Sequence, residues 1–184
     1  VSLNVLLAAP VLAAEPAFTG GAANTISWST LAGAEAYEVQ RSTNAGFANP
    51  TSSGWITTAS HTFNGLAECT PYFYRVRAWR TAAIPPAGPW SAAASSVQDA
   101  TAPMVSCSTN RLAHSTNSSG ATVTFTASAG DQCDLSPTAT CTPASGSTFA
   151  LGTTTVTCTA RDAADNTATC SFSVTVILNH APIA

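Results

Sequence analysis

Leu66-Ala-Glu-Cys-Thr-Pro-Tyr-Phe-Tyr-Arg-Val-Arg-Ala-Trp-Arg80 is the stretch from which the fold can be read. From residue 71 the side chains alternate, with Tyr72, Tyr74, Val76 and Ala78 on one side and Phe73, Arg75, Arg77 and Trp79 on the other. Successive residues of a strand point to opposite faces, so this is a long β-strand with one face on a core. Its second face is expected toward water. There Phe73, Arg75, Arg77, Trp79 and the nearby Trp90 form either a sugar-stacking surface or a cation–π ladder, with Glu38 and Gln40 pairing the arginines.

Working outward, short alternating runs recur about every ten residues between Gly, Pro, Asn and Ser, the rhythm of a β-sandwich. In the first half they predict strands at 10–15, 24–29, 35–42, 54–58, 60–64, 71–80 and 90–98. Ile26 and Trp28, and then Tyr37 and Val39, are expected on the core side. No window sustains a 3.6-residue apolar period, so almost no helix is expected. At 184 residues the chain suits two sandwiches of roughly 100 residues in series.

Composition removes several function classes. Only 8% of residues are charged and the net charge is −3. Every base is an arginine, and the six are scattered, so no footprint for a phosphate backbone exists and nucleic acid is excluded as partner. The most apolar run, 5–14, is interrupted by Pro10 and is far short of the ~20 residues that span a bilayer, so no membrane insertion is expected. Residues 1–9 read as a linker from a preceding segment. No G-x-S-x-G elbow, nucleophile–base spacing or phosphate loop is present, and the chain is read as non-catalytic.

The Leu66-to-Tyr72 spacing resembles the tyrosine corner of fibronectin type III domains, in which a phenol hydroxyl ties a chain crossing to nearby backbone. Trp28 stands where that family has its core tryptophan, and Gly88-Pro-Trp-Ser91 resembles the Trp-Ser element before its last strand. The resemblance covers residues 10–98 and implies structural roles for Trp28, Leu66 and Tyr72.

From 99 to 178 the sequence is similar to the hyalin repeat (HYR) domain. The match rests on Ser145-Gly-Ser-Thr-Phe149, Gly152-Thr-Thr-Thr-Val-Thr-Cys158, Asp162-Ala-Ala-Asp-Asn166 and Cys170-Ser-Phe-Ser-Val-Thr-Val176. Strands are expected near 104–107, 121–127, 137–141, 152–158 and 168–177. Asp165 replaces the family's usual Gly, which predicts a left-handed backbone there. Asn117-Ser-Ser-Gly120 lacks a cysteine common in the family and contains a formal glycosylation sequon. The fold class is thus all-β, two tandem Ig-like antiparallel sandwiches. Residues 179–184 read as a linker to a following module.

With no metal-type Cys spacing and His61, His114 and His180 far apart, the six cysteines read as disulfides, hence an oxidising, extracellular compartment. The HYR pattern suggests Cys141 with Cys158, worth about 3 kcal/mol, and Cys107 with Cys170, worth about 4 kcal/mol. Cys69 and Cys133 remain: a bond to each other across the domain junction, two free thiols, or a bond to another chain. Asp131, Asp134, Asp162 and Asp165 fall in two loops of the second half. With Asp99 they either hold Ca²⁺ at the junction, the one candidate cofactor, or serve as ordinary turn formers.

Three roles follow: a structural or adhesive segment of a secreted or surface protein, an accessory part of a secreted polymer-degrading enzyme, or a subunit of an extracellular filament. The expected partners are neighbouring domains, an extracellular protein, a polysaccharide, or the chain itself.

Overall fold

The computed structural model describes residues 7–179 except 82 and 84, so residues 1–6 and 180–184 of the expected linkers lie outside the described residues. The described residues form fifteen strands and no helix. The chain divides into two compact units, Val1–Ala100 and Thr101–Ala184.

In the first unit the strands are β1 (Phe18–Gly20), β2 (Ala23–Ser27), β3 (Ala36–Ser42), β4 (Thr51–Ile56), β5 (Ser60–Asn64), β6 (Thr70–Trp79) and β7 (Ala94–Asp99). One sheet has the order β1-β7-β6-β3-β4 and the other pairs β2 with β5. Between them lie Ile26, Trp28, Tyr37, Val39, Phe63, Tyr72, Tyr74, Val76 and Ala78, all buried. The period-two pattern of β6 therefore has the physical consequence read from it.

The strand expected at 10–15 is only a bridge, Leu12 opposite Trp28. Ala13 donates to Ser27 and Ser29 donates to Val11. Pro16 lacks a ladder donor, and the chain then crosses to the other sheet, where β1 runs parallel to β7. The strand expected at 54–58 lies earlier, at β4. Gly54, at φ 66°, accommodates a bulge opposite Glu38–Gln40, so the strand passes through it rather than starting there.

The second unit holds β8 (Met104–Ser106), β9 (Arg111–Ser115), β10 (Ala121–Thr122), β11 (Ser128–Gly130), β12 (Thr138–Thr142), β13 (Thr148–Phe149), β14 (Gly152–Arg161) and β15 (Thr167–Leu178). Its main sheet has the order β12-β14-β15-β9, while β10 pairs with β13 and β11 with β8. The core gathers Val123, Phe125, Phe149, Val156, Cys158, Phe172, Val174 and Val176. Phe125 meets Phe172 edge-on, with ring centroids 4.9 Å apart.

Two expectations change here. The edge strand β9, parallel to β15, has no counterpart among the expected strands. The strand expected at 121–127 keeps its alternation, with Val123 and Phe125 inward, but only its first two residues pair regularly. Serines take over the rest. Val123 donates to the carbonyl of Ser147. The Ser145 hydroxyl accepts from the Phe125 N–H at 2.9 Å and donates to the Phe125 carbonyl at 2.6 Å. Ser108 serves Thr126 in the same two ways. A side chain that donates and accepts satisfies buried backbone without a continuous strand partner.

Candidate functional site

Register decides what the outer face of β6 becomes. Glu38 lies opposite Arg77 and Gln40 opposite Arg75. Arg77 donates to Glu38 Oε2 from Nε at 2.8 Å and from Nη2 at 2.6 Å. Arg75 donates to Gln40 Oε1 from Nε at 3.0 Å and from Nη2 at 2.8 Å. These forked bonds fix both guanidinium planes.

Trp90 enters from the segment before β7. The Ser91 N–H donates to the Val76 carbonyl at 2.8 Å, and the Ser91 hydroxyl accepts from the Val76 N–H at 3.1 Å. This serine replaces a strand partner, which delays regular β7 pairing to Ala94 and delivers the indole onto the arginines. Arg75 and Arg77 stand 4.3 Å and 4.5 Å from the Trp90 ring. Arg75 also covers Phe47 at 4.2 Å and Arg77 covers Trp55 at 5.2 Å. Trp55 leans on Trp79, with centroids 6.2 Å apart.

The array is thus Phe47–Arg75–Trp90–Arg77–Trp55–Trp79. Arg75, Arg77, Trp79 and Trp90 are half-buried, Phe47 is buried and Trp55 is exposed. Phe73, expected within it, lies opposite Ser42 and Ser95 at the far end of the strand. Phe47 takes a place that alternation could not assign, because it sits in a loop at φ 55°. The Asn44 turn, whose carbonyl accepts from Phe47 and whose side chain accepts from Gly46, is the local signal for that loop.

Removing the indole with Trp90→Ala is expected to cost about 2 kcal/mol, since two guanidinium contacts of about 0.5–2 kcal/mol each are lost. Thermal melting of the first unit, followed by the fluorescence of the remaining tryptophans, measures it. An unchanged midpoint would show that the stacking is ornamental.

Burial raises the Glu38 carboxyl. It is outweighed by the hydrogen bond from Ser52, the bond and charge of Arg77, and a bond from Gln40, so the group titrates below the usual glutamate range. A depressed folded value adds stability above the ordinary glutamate value, and that stability is lost as pH falls through the folded one. The acid-side loss of first-unit stability is therefore expected to be shallower in Glu38→Gln than in the wild type. Identical pH profiles would refute this. Burial, the principal cause, and the neighbouring Arg77 lower the Arg75 value against the pull of Glu38.

The tyrosine corner is in place. The Ala67 N–H donates to the Tyr72 hydroxyl at 2.9 Å, and both Leu66 and Tyr72 are buried. Trp28 packs on Tyr37 at 5.7 Å.

In the second unit three of the four loop aspartates accept from backbone N–H groups, and the fourth, Asp165, pairs with an arginine. Asp131 Oδ1 accepts from the N–H groups of Cys133 and Asp134. Asp134 accepts from Ser136 and Ala163. Asp162 Oδ1 accepts from Ala164 and Asn166. Asp165 adopts φ 70° and pairs with Arg161 at 2.6 Å. Among the described residues, these four do not bring three carboxylates to one point. The Asx turns so formed engage oxygens that the calcium reading also needs. Asp99 is buried in the first unit.

Disulfides join Cys107 to Cys170 and Cys141 to Cys158. Cys141, Cys158 and Cys170 lie side by side across β12, β14 and β15. Cys69 and Cys133 are oxidised too.

Residues 98–176 match the family model of the HYR domain. The second unit is a HYR domain. The strand pairing and tyrosine corner of the first unit make it fibronectin type III-like. The HYR domain carries the aspartate turns and the strand bridged by Ser108 and Ser145 described above.

Among solved structures, the chain is similar to a Fn3-like protein from Clostridium thermocellum (26% identity, TM-score 0.39), covering 51% of this chain and 98% of that one. It is similar to a β-1,2-glucanase from Parabacteroides distasonis (20% identity, TM-score 0.42), covering 54% of this chain and 14% of that one. It also resembles the I-band fragment I67–I69 of titin (12% identity, TM-score 0.45), covering 94% of this chain and 67% of that one. No curated protein matches the chain. HYR domains occur in extracellular proteins, and the disulfides agree with such a setting. Domains of both kinds are typically non-catalytic modules.

Proposed function

We propose that this pair is a structural and adhesive segment of a secreted or cell-surface protein, spacing neighbouring modules and offering a face to a protein or matrix partner. One observation supports the reading: the arginines of β6 and the loop aspartates of the HYR domain are engaged in the fold itself. Both arginines of β6 are stacked and forked, the loop carboxylates of the HYR domain hold its turns, and its core is stapled by two disulfides. Cys69 and Cys133 are the cysteines outside those two bonds, and no cysteine among the described residues is free.

A second reading, an accessory module that holds a polysaccharide, is favoured by Trp55, which is 45% exposed beside Trp79. Pull-down on insoluble polysaccharides separates the two. The adhesive reading expects no retention by the polysaccharide and measurable retention by an extracellular protein matrix. Selective retention by a polysaccharide, lost in Trp55→Ala, would replace it with the second reading. Added Ca²⁺ is expected to leave the calorimetric melting unchanged, because the HYR carboxylates are already engaged. An upward shift would return calcium to the account.

A further inference from the structure

We propose that Asn117 is an N-glycosylation acceptor, taking an oligosaccharide from a polyprenyl-pyrophosphate donor. Asn117-Ser118-Ser119 is the only Asn-x-Ser/Thr triplet in the sequence without an intervening proline, since Asn49-Pro50-Thr51 is blocked by Pro50. Three structural features make the triplet competent in the folded chain.

Asn117, Ser118 and Ser119 are all exposed, in the turn between β9 and β10. The turn is pinned from beneath. The hydroxyl of buried Ser115 lies 2.8 Å from the Asn117 carbonyl and 2.7 Å from that of Gly120, sharing its one proton between them, and accepts from the Asn117 N–H at 3.3 Å. Finally, the Ser119 N–H donates to Asn117 Oδ1 at 2.9 Å. That bond takes the carboxamide oxygen and leaves the amide nitrogen, the atom that would be glycosylated, outside it.

In the transfer, Asn117 Nδ2 forms a bond to the anomeric carbon of the first sugar. The sugar–phosphate C–O bond breaks, the polyprenyl pyrophosphate leaves with the electron pair, and the amide gives up one proton. The product is placed to matter. β9 is an edge of the sheet β12-β14-β15-β9, with Leu112 64% exposed on it. A bulky hydrophilic group two residues beyond Ser115 obstructs further strand pairing along that edge.

The test uses the full chain, made without glycosylation, oxidised and folded. It is incubated with an oligosaccharyltransferase and a lipid-linked oligosaccharide, then read by intact mass and peptide mapping. One oligosaccharide is expected, at Asn117, abolished by Asn117→Gln and Ser119→Ala and retained in Ser118→Ala. A reduced, unfolded sample runs in parallel. Transfer to the unfolded chain alone would show that the fold hides the triplet, and transfer to neither would show that the triplet is inert; either result overturns the proposal. Neither bears on the adhesive reading, which does not depend on a glycan.

Discussion

Replacing Cys107 and Cys170 together by alanine is expected to destabilise the HYR domain by about 4 kcal/mol, lowering its melting temperature by roughly 20 °C. The bond closes a separation of 63 residues, and the loss of unfolded-chain entropy on closing a loop grows with its length. The second bond spans only 17 residues, so the matching Cys141→Ala/Cys158→Ala variant is expected to lose less, about 3 kcal/mol. A small domain has little core to offset such losses, because little of its surface is buried on folding. All four tryptophans and all three tyrosines lie in the first unit. Fluorescence therefore follows that unit alone, and calorimetry with hydrogen exchange at Val156 and Val174 reports on the HYR domain. The expected result is a shifted calorimetric transition with the fluorescence transition in place. An unshifted HYR transition would mean that the bond constrains nothing the folded strands do not already hold.

The regular parts of both units were legible because burial repeats along them. β6 shows four inward residues in strict alternation, and β14 and β15 do the same, so a period of two was enough to fix their faces. The arginine ladder was half legible. Alternation placed Arg75 and Arg77 outward, and the proximity of strands made Trp90 and Glu38 reachable. Phe47 belongs to a loop, where no period carries information, and Phe73 lies one pair too far along the strand to take part.

What stayed hidden shares one physical cause. β1 and β9 are short edge strands that pair in parallel with the last strand of their unit, and they bury too little to impose a pattern. Val123 and Phe125 kept their alternation while the backbone of Phe125 and Thr126 found serine side chains instead of a strand. Hydrophobic pattern records which side chains go inward; it is silent on what satisfies the backbone. The loop aspartates show the same limit. Carboxylates that hold a turn and carboxylates that hold an ion look alike in sequence, and that Asp162 holds a turn is visible only once the fold brings the N–H groups of Ala164 and Asn166 to it.

Gly120→Ala is expected to cost the HYR domain about 4 kcal/mol, whereas Gly146→Ala should cost about 1 kcal/mol. Both glycines have a left-handed backbone, at φ 95° and φ 85°, so the strain of placing an L side chain there, about 1–2 kcal/mol per residue, is shared. Their surroundings differ. A Cβ on Gly120 would collide with the Phe149 carbonyl oxygen and stand 2.9 Å from its carbon and 3.1 Å from the Ala150 Cα. These are backbone atoms of the strand that pairs with β10, so no side chain can swing aside. Relief requires β10 and β13 to part, and Ala121 pairs directly with Phe149, a core residue only 2% exposed. Nothing lies within 4 Å of the same position on Gly146. The difference between the two variants therefore isolates close backbone packing from backbone conformation. Calorimetric melting of the HYR transition in the two proteins measures it. Equal losses would show that conformation alone demands glycine at 120, and that β10 and β13 have room to yield.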